Sequence, residues 1–222
     1  ISNLIYLIFN LFIVLNLKPY IVISLLPGLL LWINNNYIKS VSNKLIKVLI
    51  IPFILVFFIF IGNFAFENLS SSMGVYGDVD SAINQAKVIQ SDLLREEQYG
   101  ANSYNIGEID GSFIGLLKVA PLAIFTALFR PMIWEIGSPT MLISALENSI
   151  LLIFASILIL RTSPRKFFSI IFSDPFILYC VVFSIIFAFG VGIAGTNFGA
   201  LVRYKIPLVP FLFSSVVIIK NK

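Results

Sequence analysis

PFILYCVVFSIIFAFGVGIA, residues 175–194, runs for twenty residues without a charge. A helix of about 20 apolar residues is about 30 Å long and matches the hydrocarbon core of a bilayer. This stretch is therefore expected to cross a membrane. Within it Ser184, Ala188 and Gly192 recur at four-residue spacing, with Gly195 and Gly199 following, so one face of the helix permits close approach of a neighbour. Cys180, the single cysteine, has no internal disulfide partner and fits a small packing position in this run.

The whole chain shares the bias. Of its 222 residues, 59% are hydrophobic and only 12% charged, with a mean hydropathy of +0.98. Such values lie far from those of soluble domains, and the expected fold class is all-α, a polytopic transmembrane helix bundle. The formal charge of +4 does not point to nucleic acid. Lys39, Lys44, Lys47, Arg161, Arg165, Lys166, Lys220 and Lys222 lie in short segments beside apolar runs, as cytoplasmic loops and tails do.

Four regions follow. Residues 1–66 form N-terminal transmembrane helices: Ile5 to Leu15 and Ile21 to Ile33 are short apolar runs split at Leu17-Lys18-Pro19, where proline disfavours helix at Lys18. A helical hairpin is expected, with one broken span or a re-entrant pair as alternatives. Asn34-Asn35-Asn36 and the three lysines mark a cytoplasmic loop, after which Leu45 to Phe66 is long enough to cross outward. Ile1 opens the chain and no basic n-region precedes the first apolar run, so the expectation is a piece of a longer chain rather than a signal peptide.

Residues 67–112 hold eight acids (Glu67, Asp78, Asp80, Asp92, Glu96, Glu97, Glu108 and Asp110) against Lys87 and Arg95, an external acidic insert. Val79, Ile83, Ala86, Ile89 and Leu93 recur at helical spacing there, between a cap at Asp80 and a stop at Gly100. Residues 113–139 are an interfacial or re-entrant segment in which Leu116, Leu117, Ala120, Ile124 and Leu128 share a face. Parity supports that reading, because the span at Thr140 to Leu160 must end at the basic loop of Arg161, Arg165 and Lys166. Residues 140–222 hold the C-terminal transmembrane helices, the last running from Ile206 to Ile219.

This layout puts the insert, Arg130 and Arg203 on the periplasmic or extracellular side, where spare cations run against the usual bias. Two motifs hold them. In Phe129-Arg130-Pro131-Met132-Ile133-Trp134-Glu135, arginine offers a donor fork for phosphate or carboxylate, and Glu135 can pair with it or act as a base. The same residues have ordinary interfacial uses: Arg130 snorkels, Trp134 sits at headgroup level and Glu135 neutralises charge. In Thr196-Asn197-Phe198-Gly199-Ala200-Leu201-Val202-Arg203-Tyr204-Lys205-Ile206-Pro207, a short external connection, Arg203 and Lys205 suit an anionic head group, an ion pair with the insert, or lipid anchoring. The substrate-binding candidates are thus Arg130, Trp134, Asn197, Arg203, Tyr204 and Lys205, with Glu135 as catalytic candidate.

Glu147-Asn148 lies inside a span, where a carboxylate must face protein, water or a partner; a bond between helices is the expected role. The chain has no histidine, which excludes His-based zinc sites and Ser-His-Asp triads, and it shows no phosphate-binding or dinucleotide loop. Asp78 with Asp80 and Glu108 with Asp110 fit a helix cap and a solvated loop better than a metal site. No metal and no cofactor are expected.

Phe-Arg-Pro-x-x-Trp-Glu at 129–135, Ser-Ala-Leu-Glu-Asn at 144–148 and Val-Arg-Tyr-Lys-Ile-Pro at 202–207 together resemble the C-terminal half of bacterial inner-membrane proteins of cell-surface polysaccharide synthesis. The resemblance covers residues 95 to 215 and is similar in style to O-antigen polymerases and to lipid-linked-sugar glycosyltransferases. It implies an undecaprenyl-pyrophosphate-linked glycan handled at the outer face, with Arg130, Arg203 and Lys205 on the pyrophosphate and Glu135 or an acid of the insert as base. O-antigen ligases carry a periplasmic histidine, which this chain lacks. A non-enzymatic transporter or assembly subunit is the alternative; a shared pocket joining Arg130 and Arg203 would favour an enzyme.

Overall fold

The computed structural model describes residues 2–38, 56–57, 59–61, 88, 104–107, 112–195 and 197–222. Among these the chain is helical and contains no strand. The helices are α1 (Ser2–Leu17), α2 (Pro19–Ile33), α3 (Phe113–Phe129), α4 (Pro139–Arg161), α5 (Pro164–Ser173), α6 (Pro175–Ala194), α7 (Phe198–Tyr204) and α8 (Val209–Lys220). The lysines at 39, 44 and 47, the amphipathic stretch at 79–93, and most of the span at 45–66 and of the acidic insert fall outside the described residues.

Proline sets many of the boundaries. Pro19, Pro139, Pro164 and Pro175 each stand in the first turn of a helix, where their missing N–H is no loss. Asp174 Oδ1 accepts hydrogen bonds from the amides of Phe176 and Ile177 at 2.9 and 3.2 Å, capping α6. Ser112 caps α3 in the same way, through the Gly115 amide at 3.0 Å.

Two helices, Met141–Arg161 and Pro175–Ala194, are long and apolar enough to cross a membrane. A third crossing arises if α7 and the chain from Ile206 to Lys220, bent by 43° at Lys205, count as one broken span. The chain is an integral membrane protein of all-α class. At 17 residues, α3 spans about 25 Å, short of a comfortable crossing.

α6 is the centre. Tyr20 meets Phe187 at 5.9 Å between ring centroids and Gly28 abuts Tyr179, so α2 lies antiparallel to α6. Phe211 of α8 stands edge-on to Phe183 at 4.5 Å, while Lys222 just beyond α8 reaches Asp174 just before α6 at 2.5 Å; this pair is antiparallel too. On a third side α3 comes so close that a Cβ on Gly192 would stand 2.2 Å from the Ala123 carbonyl oxygen. Ser184, Ala188 and Gly192 are all buried, and the small-residue face works as its spacing implied.

The bundle therefore has two distinct ends. The Asp174–Lys222 bridge and a cleft shared by Arg161 and Lys220 gather the basic residues at one end. Arg130 and Lys205 meet at the other.

Several local expectations change. The basic segment after Arg161 is not simply a loop: Pro164–Ser173 is a helix that buries Ile170 and Ile171 against α6 and α8, leaving Arg165, Lys166, Phe168 and Phe172 exposed. The external connection after α6 contains α7, because Asn197 supplies a cap at its start. Asn34–Ile38 continues α2 as a π turn rather than opening a loop. On α3 the buried face is Val119, Ala123, Thr126 and Ala127, while Leu117 is exposed. Small residues win that contact because the Ala123 backbone lies against Gly192.

Candidate functional site

The first motif folds on itself. Arg130 ends α3, its amide donating to the Thr126 carbonyl at 3.0 Å, and its guanidinium grips Glu135 through Nε, at 2.8 and 3.1 Å from the two carboxylate oxygens, and through Nη2. Glu135 Oε2 also accepts the Met132 amide at 2.8 Å, closing a short 3-10 turn at Ile133–Glu135. The Arg130 guanidinium carbon lies 5.1 Å from the Phe198 ring centroid and 5.7 Å from that of Tyr104.

Burial alone would raise the Glu135 carboxyl, but the hydrogen bonds from Arg130 and the Met132 amide, with the guanidinium charge, outweigh it and hold it below the usual carboxylate range. A carboxylate so held is a weak base. Arg130 in turn has its fork filled from inside the chain.

The second motif splits. Asn197 Oδ1 accepts the Gly199 and Ala200 amides at 2.7 and 3.2 Å, so it is a helix cap. Arg203 is exposed and its Nε donates to the Gly199 carbonyl of its own helix at 3.1 Å. Tyr204 is exposed, and Trp134 of the first motif is 80% exposed, as an interfacial aromatic would be. Lys205 behaves differently.

Lys205 is only 4% exposed. The bend between α7 and α8 turns it inward, where Nζ donates to the Arg130 carbonyl oxygen at 3.0 Å and to Asn148 Oδ1 at 2.6 Å. Asn148 Nδ2 in turn donates to the Pro131 carbonyl oxygen at 3.3 Å. One asparagine thus ties α4, the connection after α3, and the α7–α8 bend together.

An ammonium has three donors, and two are used on neutral acceptors. Among the described residues the ion pairs are Arg130–Glu135 and Lys222–Asp174, so none of the described carboxylates is bonded to Lys205, although the Glu147 charge acts on it. Outside the insert the chain carries three acids; Glu135 and Asp174 are engaged, and Glu147 remains. Comparisons with family models, curated proteins and solved structures return no match for this chain.

Lys205, Asn148, Glu147 and Ser144 form the polar end of a cleft of about 780 Å³ between α4 and α8. Beyond them the wall turns apolar with Leu151, Phe154, Val209, Leu212, Phe213 and Val216, and the cleft reaches Lys220 at the basic end. Neither Arg130 nor Arg203 lines it, so this cleft is not the pocket joining the two arginines that would favour an enzyme. The candidates therefore separate: Lys205 faces the cleft, Arg130 and Glu135 brace it from behind, and Trp134, Arg203 and Tyr204 face outward.

Tyr104 and Phe198, which hold Arg130, carried no signal in the sequence. Asn148 did carry one, as a polar residue inside an apolar span, but its partner lies 57 residues away. No candidate metal-binding group occurs among the described residues.

Proposed function

We propose that this is a membrane protein of bacterial cell-envelope polysaccharide assembly that takes a lipid-pyrophosphate-linked sugar at the outer face of the inner membrane. The observation that carries the reading is Lys205: a buried ammonium whose hydrogen bonds, among the described residues, go to neutral acceptors at the polar end of an apolar cleft. Burying a charge to which no carboxylate is bonded costs several kcal/mol on the order-of-magnitude scale for interiors, and a ligand phosphate adds a bonded counter-ion to the more distant charge of Glu147. The shape of the cleft suits a molecule with one anionic head and a long hydrocarbon tail. Polysaccharide chemistry in particular rests on the motif resemblance.

In this reading the pyrophosphate meets Lys205, the prenyl chain lies along Phe154, Leu212 and Phe213, and Glu147 is the carboxylate available to a reacting hydroxyl. Lys205 stabilises negative charge on the departing pyrophosphate, the kind of contact whose removal costs a hundredfold or so in rate. Arg130, with its fork on Glu135, acts by fixing the carbonyl oxygen that Lys205 uses.

The transporter alternative needs polar groups along the path. Between Asn148 and Lys220 the lining of the cleft is wholly apolar, which favours holding a head group at one end over carrying it across. The assembly-subunit alternative draws support from the exposed apolar surface of α4, which another protein can cover.

Lys205→Met and Arg203→Ala, compared at matched membrane abundance, test the reading. Lys205→Met shortens surface glycan and weakens binding of undecaprenyl pyrophosphate to the purified protein by about thirtyfold or more, the loss of one partner of a buried charge pair, while Arg203→Ala stays close to the parent. Normal glycan and normal binding in Lys205→Met would sink the proposal.

A further inference from the structure

A second cleft opens at the basic end of the bundle. It has a volume of about 390 Å³, with Phe154, Leu158 and Val216 as apolar wall and Arg161, Thr162 and Lys220 at its rim. Arg161 ends α4 and Lys220 ends α8, so the two cations come from different helices and meet only because those helices run side by side. Among the described residues no acid lines the cleft. The one described carboxylate at this end, Asp174, is bonded to Lys222 instead.

The general bias toward basic residues on one side of a membrane explains why Arg161 and Lys220 occur. It does not explain why they converge. Lys220 Nζ lies 5.4 Å from the Phe154 ring centroid, which holds its ammonium over the apolar wall. Arg161 is exposed, so its donor fork is open. The Thr162 hydroxyl adds a neutral donor between them in the chain. Nearby, α5 exposes Phe168 and Phe172 beside Arg165 and Lys166, the composition of a helix lying at an anionic interface.

We propose that this cleft binds an anionic phospholipid of the leaflet at the basic end, its phosphate between Arg161 and Lys220 and an acyl chain against Phe154, Leu158 and Val216. Basic pockets between membrane helices recognise such head groups through charge that is worth about fivefold in binding per cation near the surface. Two cations therefore give a preference of about thirtyfold for an anionic over a zwitterionic lipid. Its phosphate anchor is separate from Lys205, which sits at the opposite end, while the apolar walls of the two clefts meet at Phe154 and Val216.

The full chain, purified in detergent and delipidated, is titrated with dioleoyl phosphatidylglycerol or dioleoyl phosphatidylcholine, and bound lipid is counted by native mass spectrometry. The wild-type chain retains phosphatidylglycerol about thirtyfold better; equal retention of the two lipids overturns the proposal without any variant. Arg161→Gln with Lys220→Gln removes the preference, whereas Arg161→Lys with Lys220→Arg, which keeps both charges, preserves it. If Arg165→Gln with Lys166→Gln reduces retention as much as the cleft variant does, general surface charge is responsible and the cleft is not the site. Displacement of the lipid by millimolar inorganic phosphate overturns the lipid assignment in favour of free phosphate.

Discussion

α6 and α4 have similar hydropathy and opposite surroundings. Their apolar windows average 2.6 and 2.1, yet 56% of the first is buried inside the protein and only 17% of the second. α6 has α2, α3 and α8 against it, and presents Phe183, Phe187, Ser184, Ala188 and Gly192 to them. α4 leaves Ile143, Ile153, Ile159 and Leu160 exposed and turns Ala145 and Asn148 inward. Hydropathy reports the preference for hydrocarbon over water, and lipid tails satisfy that preference as well as a neighbouring helix does. What separates the helices is the packing of small and aromatic side chains in one and polar anchoring in the other.

The largest expected effect lies in the core of α6. Phe183→Ala leaves a cavity between α6 and α8 and costs about 3 kcal/mol, while Ile153→Ala on the bare side of α4 stays within about 0.5 kcal/mol. Reversible unfolding in mixed micelles measures both. Equal costs would erase the distinction between the helices.

Gly192→Ala comes next, at about 2 kcal/mol. Its new Cβ meets the Ala123 carbonyl oxygen, a backbone atom that moves only with α3. Two residues earlier, Gly190 has nothing within 4 Å of the corresponding position, so Gly190→Ala is neutral or slightly stabilising. Tolerance of Gly192→Ala would show that α3 does not pack where described.

Asn148→Leu tests whether polar contacts hold α4. It removes one acceptor of Lys205 and the donor to Pro131, at a cost of about 2 kcal/mol by unfolding. The same variant loosens the cleft, so binding of undecaprenyl pyrophosphate falls with stability. A stable variant with unchanged binding would separate Asn148 from the site.

The smallest effect is at the basic end. Lys222's hydrogen bond holds Asp174 below the usual carboxylate range; burial opposes this, and the Ile177 and Phe176 amides with the Lys222 charge add to it. A carboxyl depressed in the folded state contributes stability above its unfolded value and loses it as pH falls through the folded one. The bridge is exposed to solvent and is worth about 0.5 kcal/mol. Asp174→Asn therefore lowers stability slightly at neutral pH and flattens the acid limb of the stability profile, which thermal melts between pH 2 and 7 (about that range) would resolve.

Much of the helical order was legible because it depends on local chemistry. Proline at 19 and 175 and small-residue spacing in α6 act within a few residues, and the structure uses them as expected. α5 and α7 were harder to see, since each is short and takes its place from a cap and from the helices it lies against. The two motifs marked the right neighbourhood of the site. They did not rank its members: Arg203 opposes the charge bias as strongly as Lys205 does, but one bonds its own helix and the other is turned inward.

The sequence by itself determined that this chain belongs in a membrane, where its long C-terminal helices fall and which segments carry charge, because these follow from runs of side chains counted along the chain. Only the tertiary structure decided that Lys205 is buried with no described carboxylate bonded to it, and that α6 is central while α4 borders an open cleft. The place of Lys205 depends on contacts between residues 57 and 75 positions apart. No local pattern encodes which helices will be neighbours.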